Sequence, residues 1–423
     1  MNYLAITPHD PLIARDSRPF GAGVRMKSLD WPNPSVLAGS LRTALGKMQN
    51  GNFNEDTFKT DVVNDLKNIS IHGPLPLFSG RLYFPAPKDV LVKDCGDKFE
   101  TYAIRPANLH DGEHCDLPHN DLLPAMLPES VIDDFKPADI APLWCVGMMV
   151  AWLTNPGGTA FHAPVSPEKR KGKPSPPQQS PAKCTEKLDS LSLPKKESRF
   201  HVAIDPRRGS AKESMLFETI GLDFSLEGRN EGVSLTARIE SAGRFDAQLA
   251  TLDAIGTMGG ERRLSHWKRL EEVPEGWTCP DGIRTALQGS KNIRMVLATP
   301  AIFSGGWCPG WINKTTLTGT PPGVEDLTLK LVSACVDRWR PLSGWNMERG
   351  HKRGPKPIRR LVPAGSVYFF KVTNGGAGGV LADRWLRPVS DEDQDRKDGF
   401  GLALWGAWEY GGDRTTNELK KEE

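Results

Sequence analysis

A short apolar strand, a long loop and an amphipathic helix fill the first 48 residues, and that succession most restricts the fold. Tyr3-Leu-Ala-Ile6 is long enough for one strand, and His9-Asp10-Pro11 stops it. The loop that follows gathers Arg15, Arg18, Arg25 and Lys27 around Phe20, Gly21 and Gly23. Asn33 can cap the next helix, and Pro34 suits its first position, where no backbone N–H is needed. Leu37, Leu41, Leu45 and Met48 recur at helical spacing and predict one buried stripe. The other face carries Gly39, Ser40, Thr43, Gly46 and Lys47, with Arg42 at its border. A glycine inside a helix costs about 1 kcal/mol relative to alanine. Two explanations stand for that cost. The face seats a phosphate backbone, helped by the free N–H groups of the helix start, or the glycines pack against a neighbouring strand.

The remaining elements are short. With 42 glycines and 35 prolines, the chain is rich in loops. Residues 68–71, 76–78 and 82–84 read as strands with Gly80-Arg81 at a turn. Residues 141–153 are apolar but far short of the roughly 20 residues that span a bilayer, so they predict a buried element. Residues 164–198 hold Lys169-Arg-Lys-Gly-Lys173, Pro174-Ser-Pro-Pro177 and Lys195-Lys196, with too few bulky apolar groups to offset ordering entropy. This segment is a mobile loop or one that orders on RNA or a partner. Strands are expected at 200–204, 215–224 and 233–239, the last half-buried, and a helix at 245–255. Gly256 and Gly259-Gly260 close that helix, ahead of Glu261-Arg262-Arg263. Strand, helix, strand pair, helix, strand is the ferredoxin-like order. A repeat of that order is expected from a strand at 293–299, a helix at 327–336, a strand at 363–371, a helical turn at 382–388 and a strand at 401–408. The fold expected is α+β: two tandem ferredoxin-like (RRM-like) domains, 1–285 and 286–423, with a long insertion at about 86–198 in the first. The tail from Thr415 is polar and is expected to fray.

Charge sets limits on function. The net charge is +2, so any nucleic-acid site must come from local clustering. Seven scattered cysteines without a Cys-x-x-Cys, and the lack of a signal-peptide pattern, fit reduced thiols in a cytoplasmic protein without a membrane segment. Near the C-terminus, Trp339-Arg340 and Ser343-Gly-Trp345 precede a basic run containing Lys352, Arg353, Lys356, Arg359 and Arg360. Cations beside tryptophans suit a single-stranded RNA groove, although such runs also occur as solvated loops. His110, His114, Cys115 and His119 have metal-like composition, but Gly112 and Pro118 interrupt them and no second ligand pair follows, so no metal is assigned. Gly256-x-x-Gly-Gly is not a P-loop, because no Gly-Lys-Ser/Thr follows. There is no Gly-x-Ser-x-Gly. His9 with Asp10 is the acid–base pair an RNA-cleaving alternative would use.

A set of short motifs occurs in order: Asp10-Pro-Leu-Ile-Ala-Arg-Asp-Ser-Arg-Pro-Phe20, Trp31-Pro, Ala38-Gly-Ser-Leu-Arg42, Gly259-Gly-Glu-Arg262, Thr299-Pro-Ala-Ile-Phe303, Gly306-Trp307, Ser343-Gly-Trp345 and Pro363-Ala-Gly-Ser-Val-Tyr368. Together they resemble the third subunit of the Cmr module, the type III-B CRISPR effector, in the RAMP superfamily. The resemblance covers both ends and the middle of the chain but not 86–198. It implies a non-catalytic subunit without cofactor that holds the 5′ repeat-derived tag of the CRISPR RNA. It also implies docking onto the large polymerase/cyclase-type subunit and the first backbone RAMP subunit, with target RNA near its 3′ flank left open as a further partner. Carried over by position, the RNA-binding residues expected are Arg15, Arg18, Phe20, Arg25, Lys27, Gly39, Ser40, Arg42, Lys47, Gly259, Gly260, Arg262, Arg263, Trp345, Lys352, Arg353, Lys356, Arg359, Arg360, Gly365 and Ser366. The alternative is a metal-independent RAMP endoribonuclease that processes precursor CRISPR RNA.

Overall fold

The computed structural model describes residues 1–15, 28–50, 60–96, 99–128, 134–155, 162–163, 165, 189–226, 231–241, 243–346 and 354–409. The chain opens with β1 (Asn2–Pro8), α1 (Pro34–Asn50), α2 (Thr60–Asn68), β2 (Ser70–Phe78) and β3 (Arg81–Pro85). Small antiparallel pairs follow, β4 (Val90–Asp94) with β5 (Phe99–Ala103) and β6 (Arg105–Pro106) with β7 (Ala125–Met126). Next come β8 (Leu143–Cys145), α3 (Val146–Thr154) and β9 (Ser190–Leu191), then a hairpin of β10 (Lys195–Ile204) and β11 (Ala211–Asp223). β12 (Ser234–Glu240), α4 (Asp246–Ala250), β13 (Asp253–Met258) and β14 (Arg263–Leu270) complete the first half. Its eight-stranded sheet runs β13-β14-β1-β12-β2-β3-β8-β9.

The second half starts with α5 (Asp281–Leu287), β15 (Asn292–Leu297), β16 (Thr318–Gly319) and β17 (Thr328–Cys335). Two small pairs follow. β18 (Arg340–Leu342) meets the later β21 (Arg359–Leu361), and β19 (Trp345–Asn346) meets β20 (Gly354–Pro355). β22 (Val367–Asn374), α6 (Gly378–Ala382), β23 (Arg387–Pro388), α7 (Asp393–Lys397) and β24 (Leu402–Ala407) end it. Its sheet runs β16-β17-β22-β15-β24-β23. Four consecutive strands of each sheet, β14-β1-β12-β2 and β24-β15-β22-β17, numbered along the chain within each half, share one antiparallel order, fourth-first-third-second.

Leu4 and Ile6 of β1 and Leu37, Leu41 and Leu45 of α1 enter one core. A second core beneath β15, β22 and β24 recruits Leu77, Phe84 and Met149 from the first half. Polar ties cross the same seam. Arg42 bonds Asp398 at 2.5 Å and the Ile69 carbonyl at 2.9 Å. Arg238 donates to His72 Nδ1 at 2.9 Å and to the Leu386 carbonyl. Burial, then the Arg238 charge, push the His72 pKa well below the usual histidine range, and a ring nitrogen that accepts from a guanidinium fits the neutral form. Arg294, buried, donates to Asp89 at 2.7 Å, while Trp152 Nε1 donates to the other Asp89 oxygen at 2.9 Å.

Several expectations need correction. Residues 328–335 form a strand, not a helix, because Leu327, Leu329 and Leu331 alternate inward. The helix expected at 245–255 ends at Ala250, and β13 takes Ile255, two-thirds exposed, to the edge of the sheet. β12 is covered on both faces rather than half-buried, as a central strand must be. In α1, Met48 is exposed and Gly46 buried, the reverse of the stripe expected. Lys195 and Lys196 belong to β10, so order resumes before Arg199. α2 was not foreseen. Most of the basic, proline-rich segment (166–188) and the tail from residue 415 lie outside the described residues.

Candidate nucleic-acid interface

The loop after β1 is clasped by backbone. Gly260 N–H donates to the Ile13 carbonyl at 2.7 Å, and Leu12 exchanges N–H···O bonds with Leu222. Leu29 N–H reaches the Ala14 carbonyl at 2.7 Å, and Arg15 bridges Ser28. Gly259 has φ +73°, and a Cβ there would stand 2.6 Å from the Ile13 oxygen. The glycines of this turn therefore admit the chain's own loop. Glu261 (φ +54°) and Arg262 (φ +52°) follow in the left-handed region, where non-glycine residues are strained. Arg262 is exposed, and Arg263 donates to Glu261 at 3.0 Å. The Gly259–Arg263 turn thus grips the loop at Ile13, two residues before Arg15.

β13 runs directly into that turn and faces α1 across a groove of about 330 Å³. Ser40, Thr43 and Lys47 line its helical side, and Thr257 and Trp267 the other. Gly39 is exposed with open space where a side chain would be, so no strand among the described residues packs there. Arg42, in contrast, is spent on Asp398 and Ile69 within the protein.

The C-terminal candidates divide. Ser366 is fully buried and bonds the Pro363 carbonyl, so it has no surface to offer RNA. Gly365 (φ +84°) leaves room for the Ala86 carbonyl, 2.5 Å from a would-be Cβ, and its close approach is to protein. Arg359 pairs with Asp395 at 2.8 Å and Glu392 at 3.6 Å. Burial raises the Asp395 pKa and Arg359 opposes the rise. Lys356 and Arg360 are exposed, and the Arg360 guanidinium lies 5.0 Å from the centre of the Trp339 ring. Trp345 sits in β19, but its side chain, like all of Arg18, Phe20, Arg25, Lys27, Lys352 and Arg353, lies outside the described residues.

Of the other candidates, His119 accepts from Asp121 N–H at Nδ1, and its Nε2 is 3.0 Å from the Thr315 carbonyl. Among the described residues no group of three or more ligating side chains could hold a metal ion. His9 stacks on His266, whose Nε2 is 2.5 Å from Asp253. The hairpin is what residue-by-residue reading missed. Phe200, Val202, Ile204 and Leu216 are exposed, Phe200 by 72%. The pairing Val202↔Leu216 places these residues on one face. Their period-two spacing was legible, but not that no described residue covers them.

These features define a class: a strand-rich mixed α/β chain with two antiparallel sheets and a strained, basic turn clasping its first loop. The chain belongs to the CRISPR-associated Cas_Cmr3 family, whose model matches residues 4–408. It is accordingly a RAMP-like subunit of a type III-B CRISPR effector complex. Among solved structures it is similar to a chain of the type III-B Cmr-beta complex bound to cognate target RNA and AMPPnP, at 15% identity and TM-score 0.45, covering 87% of this chain and 86% of that one. A chain of the same complex bound to cognate target RNA alone gives the same values. A chain of the Csm3–Csm4 subcomplex of the type III-A interference complex is 13% identical at TM-score 0.35, covering 89% and 94%. No curated protein sequence matches. No helix among the described residues is long and apolar enough to cross a membrane.

Proposed function

We propose that this subunit holds the 5′ repeat-derived tag of the CRISPR RNA, docks the large subunit and the first backbone subunit, and does not cut RNA. The observation that carries the reading is the Gly259–Arg263 turn. It keeps two successive non-glycine residues in left-handed conformations, clasps the Arg15 loop, and leaves Arg262 facing solvent. Strain of this kind gathers at ligand-holding sites. The open Gly39 face and the Ser40–Lys47 groove extend the surface along α1. Arg18, Arg25 and Lys27 stay in the proposal on sequence alone. The uncovered apolar face of the β10–β11 hairpin suits a protein neighbour. We further read each half as a diverged ferredoxin-like unit, on the shared strand order, with the division near residue 285.

A filter-binding titration against tagged guide RNA and the same RNA without its tag, at two salt concentrations, tests the reading. Tag-dependent binding that weakens steeply with salt and leaves the RNA uncut is expected. Equal weak binding to both RNAs would remove tag recognition by this chain alone. The stacked His9 and His266 with Asp253 favour a second reading, acid–base cleavage of RNA. Shortened RNA that persists in wild type and vanishes in His9→Ala would establish it.

A further inference from the structure

We propose that a pocket walled by Trp307 and Trp339 receives an unpaired RNA base, which stacks on the Trp339 indole; this rests on the RNA-holding reading above. The pocket encloses about 490 Å³ between the Leu122–Ala125 segment, the Gly305–Trp307 turn and the strand end at Ser333–Val336. Trp339 follows β17 and immediately precedes β18, whose partner β21 carries Arg360. An indole at a sheet margin is normally covered, yet Trp339 is 46% exposed. One ring face lies under the Arg360 guanidinium, 5.0 Å from its centre. A planar cation on one side of an indole leaves the other side for a second planar group, and every base offers a π-face.

Charge selects the occupant. The one carboxylate in the lining, Asp337, is held by Lys88 at 2.8 Å. Arg338 and Arg360 also line the pocket, and neither meets a carboxylate among the described residues. The rim is thus cationic beside an aromatic floor, complementary to a phosphate-linked base. The pocket adjoins a larger cleft, about 950 Å³, that reaches Asp30–Pro34 at the start of α1. Leu117, Pro124, Ala125, Ala334, Val336 and Asp337 line both. A strand leaving the pocket across this shared wall would run toward α1.

The test uses the full chain in fluorescence-anisotropy titrations with two probes, a labelled tagged guide RNA and an abasic sugar–phosphate oligomer of equal length. Trp339→Ala is expected to weaken binding of the base-bearing RNA about 5- to 100-fold and to leave the abasic oligomer unchanged. Trp339→Phe should restore most of the loss, and Arg360→Ala should weaken both probes. If wild type binds RNA and Trp339→Ala binds it equally well, the base pocket is wrong and the function proposed above stands. Equal weakening for both probes, or loss only of a protein neighbour during complex assembly, would also overturn the pocket. Failure of wild type to bind either probe would overturn the RNA-holding reading, and the pocket with it.

Discussion

The two sheets share a strand order and use it differently. In the second half every residue of β24 is buried; β15 pairs with it and β22 pairs with β15, with Met295, Phe369 and Phe370 wholly inside. In the first half the edge strand β13 exposes Ile255, a long loop leaves β1, and the β10–β11 hairpin carries an apolar face into solvent. One topology therefore serves as foundation in one half and as display surface in the other. The lesson is that strand order does not locate function; edges, loops and uncovered faces do.

The largest effect should come from the foundation. Arg294→Ala leaves Asp89 buried without its cation, and unfolding in urea should show a loss of about 3–5 kcal/mol. A loss under 1 kcal/mol would mean that the second half is not the rigid partner. At the turn, Gly259→Ala places a side chain on a backbone with φ +73° and ψ −159°, against the Ile13 oxygen. A thermal melt should report on the order of 1–3 kcal/mol, with RNA affinity falling alongside.

The seam between the halves gives a pH signature. His72 stays neutral in the folded chain because its pKa lies well below the usual value, whereas in the unfolded chain it takes a proton near pH 6.5. Below that pH the unfolded state binds more protons, so stability falls as pH falls, by up to about 1.4 kcal/mol per unit from this group. Denaturation midpoints across that range would check it, and a flat profile would contradict it. Smallest in stability is the hairpin pair Phe200→Ser with Leu216→Ser. Melting should move by no more than about 0.5 kcal/mol for each, while co-purification with neighbouring subunits drops. Unchanged assembly would show that the display face has another use.

Much of the framework was legible because it follows simple periods. Leu37, Leu41 and Leu45 marked α1, and the apolar runs at 293–299 and 401–408 marked strands that proved central. The errors came where two periods coincide. Leu327 and Leu331 are four apart, as on a helix, yet Leu329 between them also points inward. Leu249, Leu252 and Ile255 have helical spacing, but pairing with β14 claims the last. For the site, sequence supplied the cations without their partners. Arg42 and Arg359 looked free until folding brought Asp398 and Asp395 to them. Ser366 looked available until folding buried it against the Pro363 carbonyl. Only contacts between distant segments separate a structural arginine from a ligand-binding one.

The Arg42–Asp398 bond also has a bearing on how the chain is made. The two residues are 356 positions apart, so at roughly 5–20 residues per second Arg42 waits on the order of 20 to 70 s for its partner to be synthesised. β1 waits similarly for β12 and β14. Through that interval α1 and the first strand emerge before the segments that enclose them, and their leucines are open to whatever else the cell offers. The N-terminal segment is thus the first to appear and waits long to be secured, β1 until β14 is made and Arg42 until the end of α7 is.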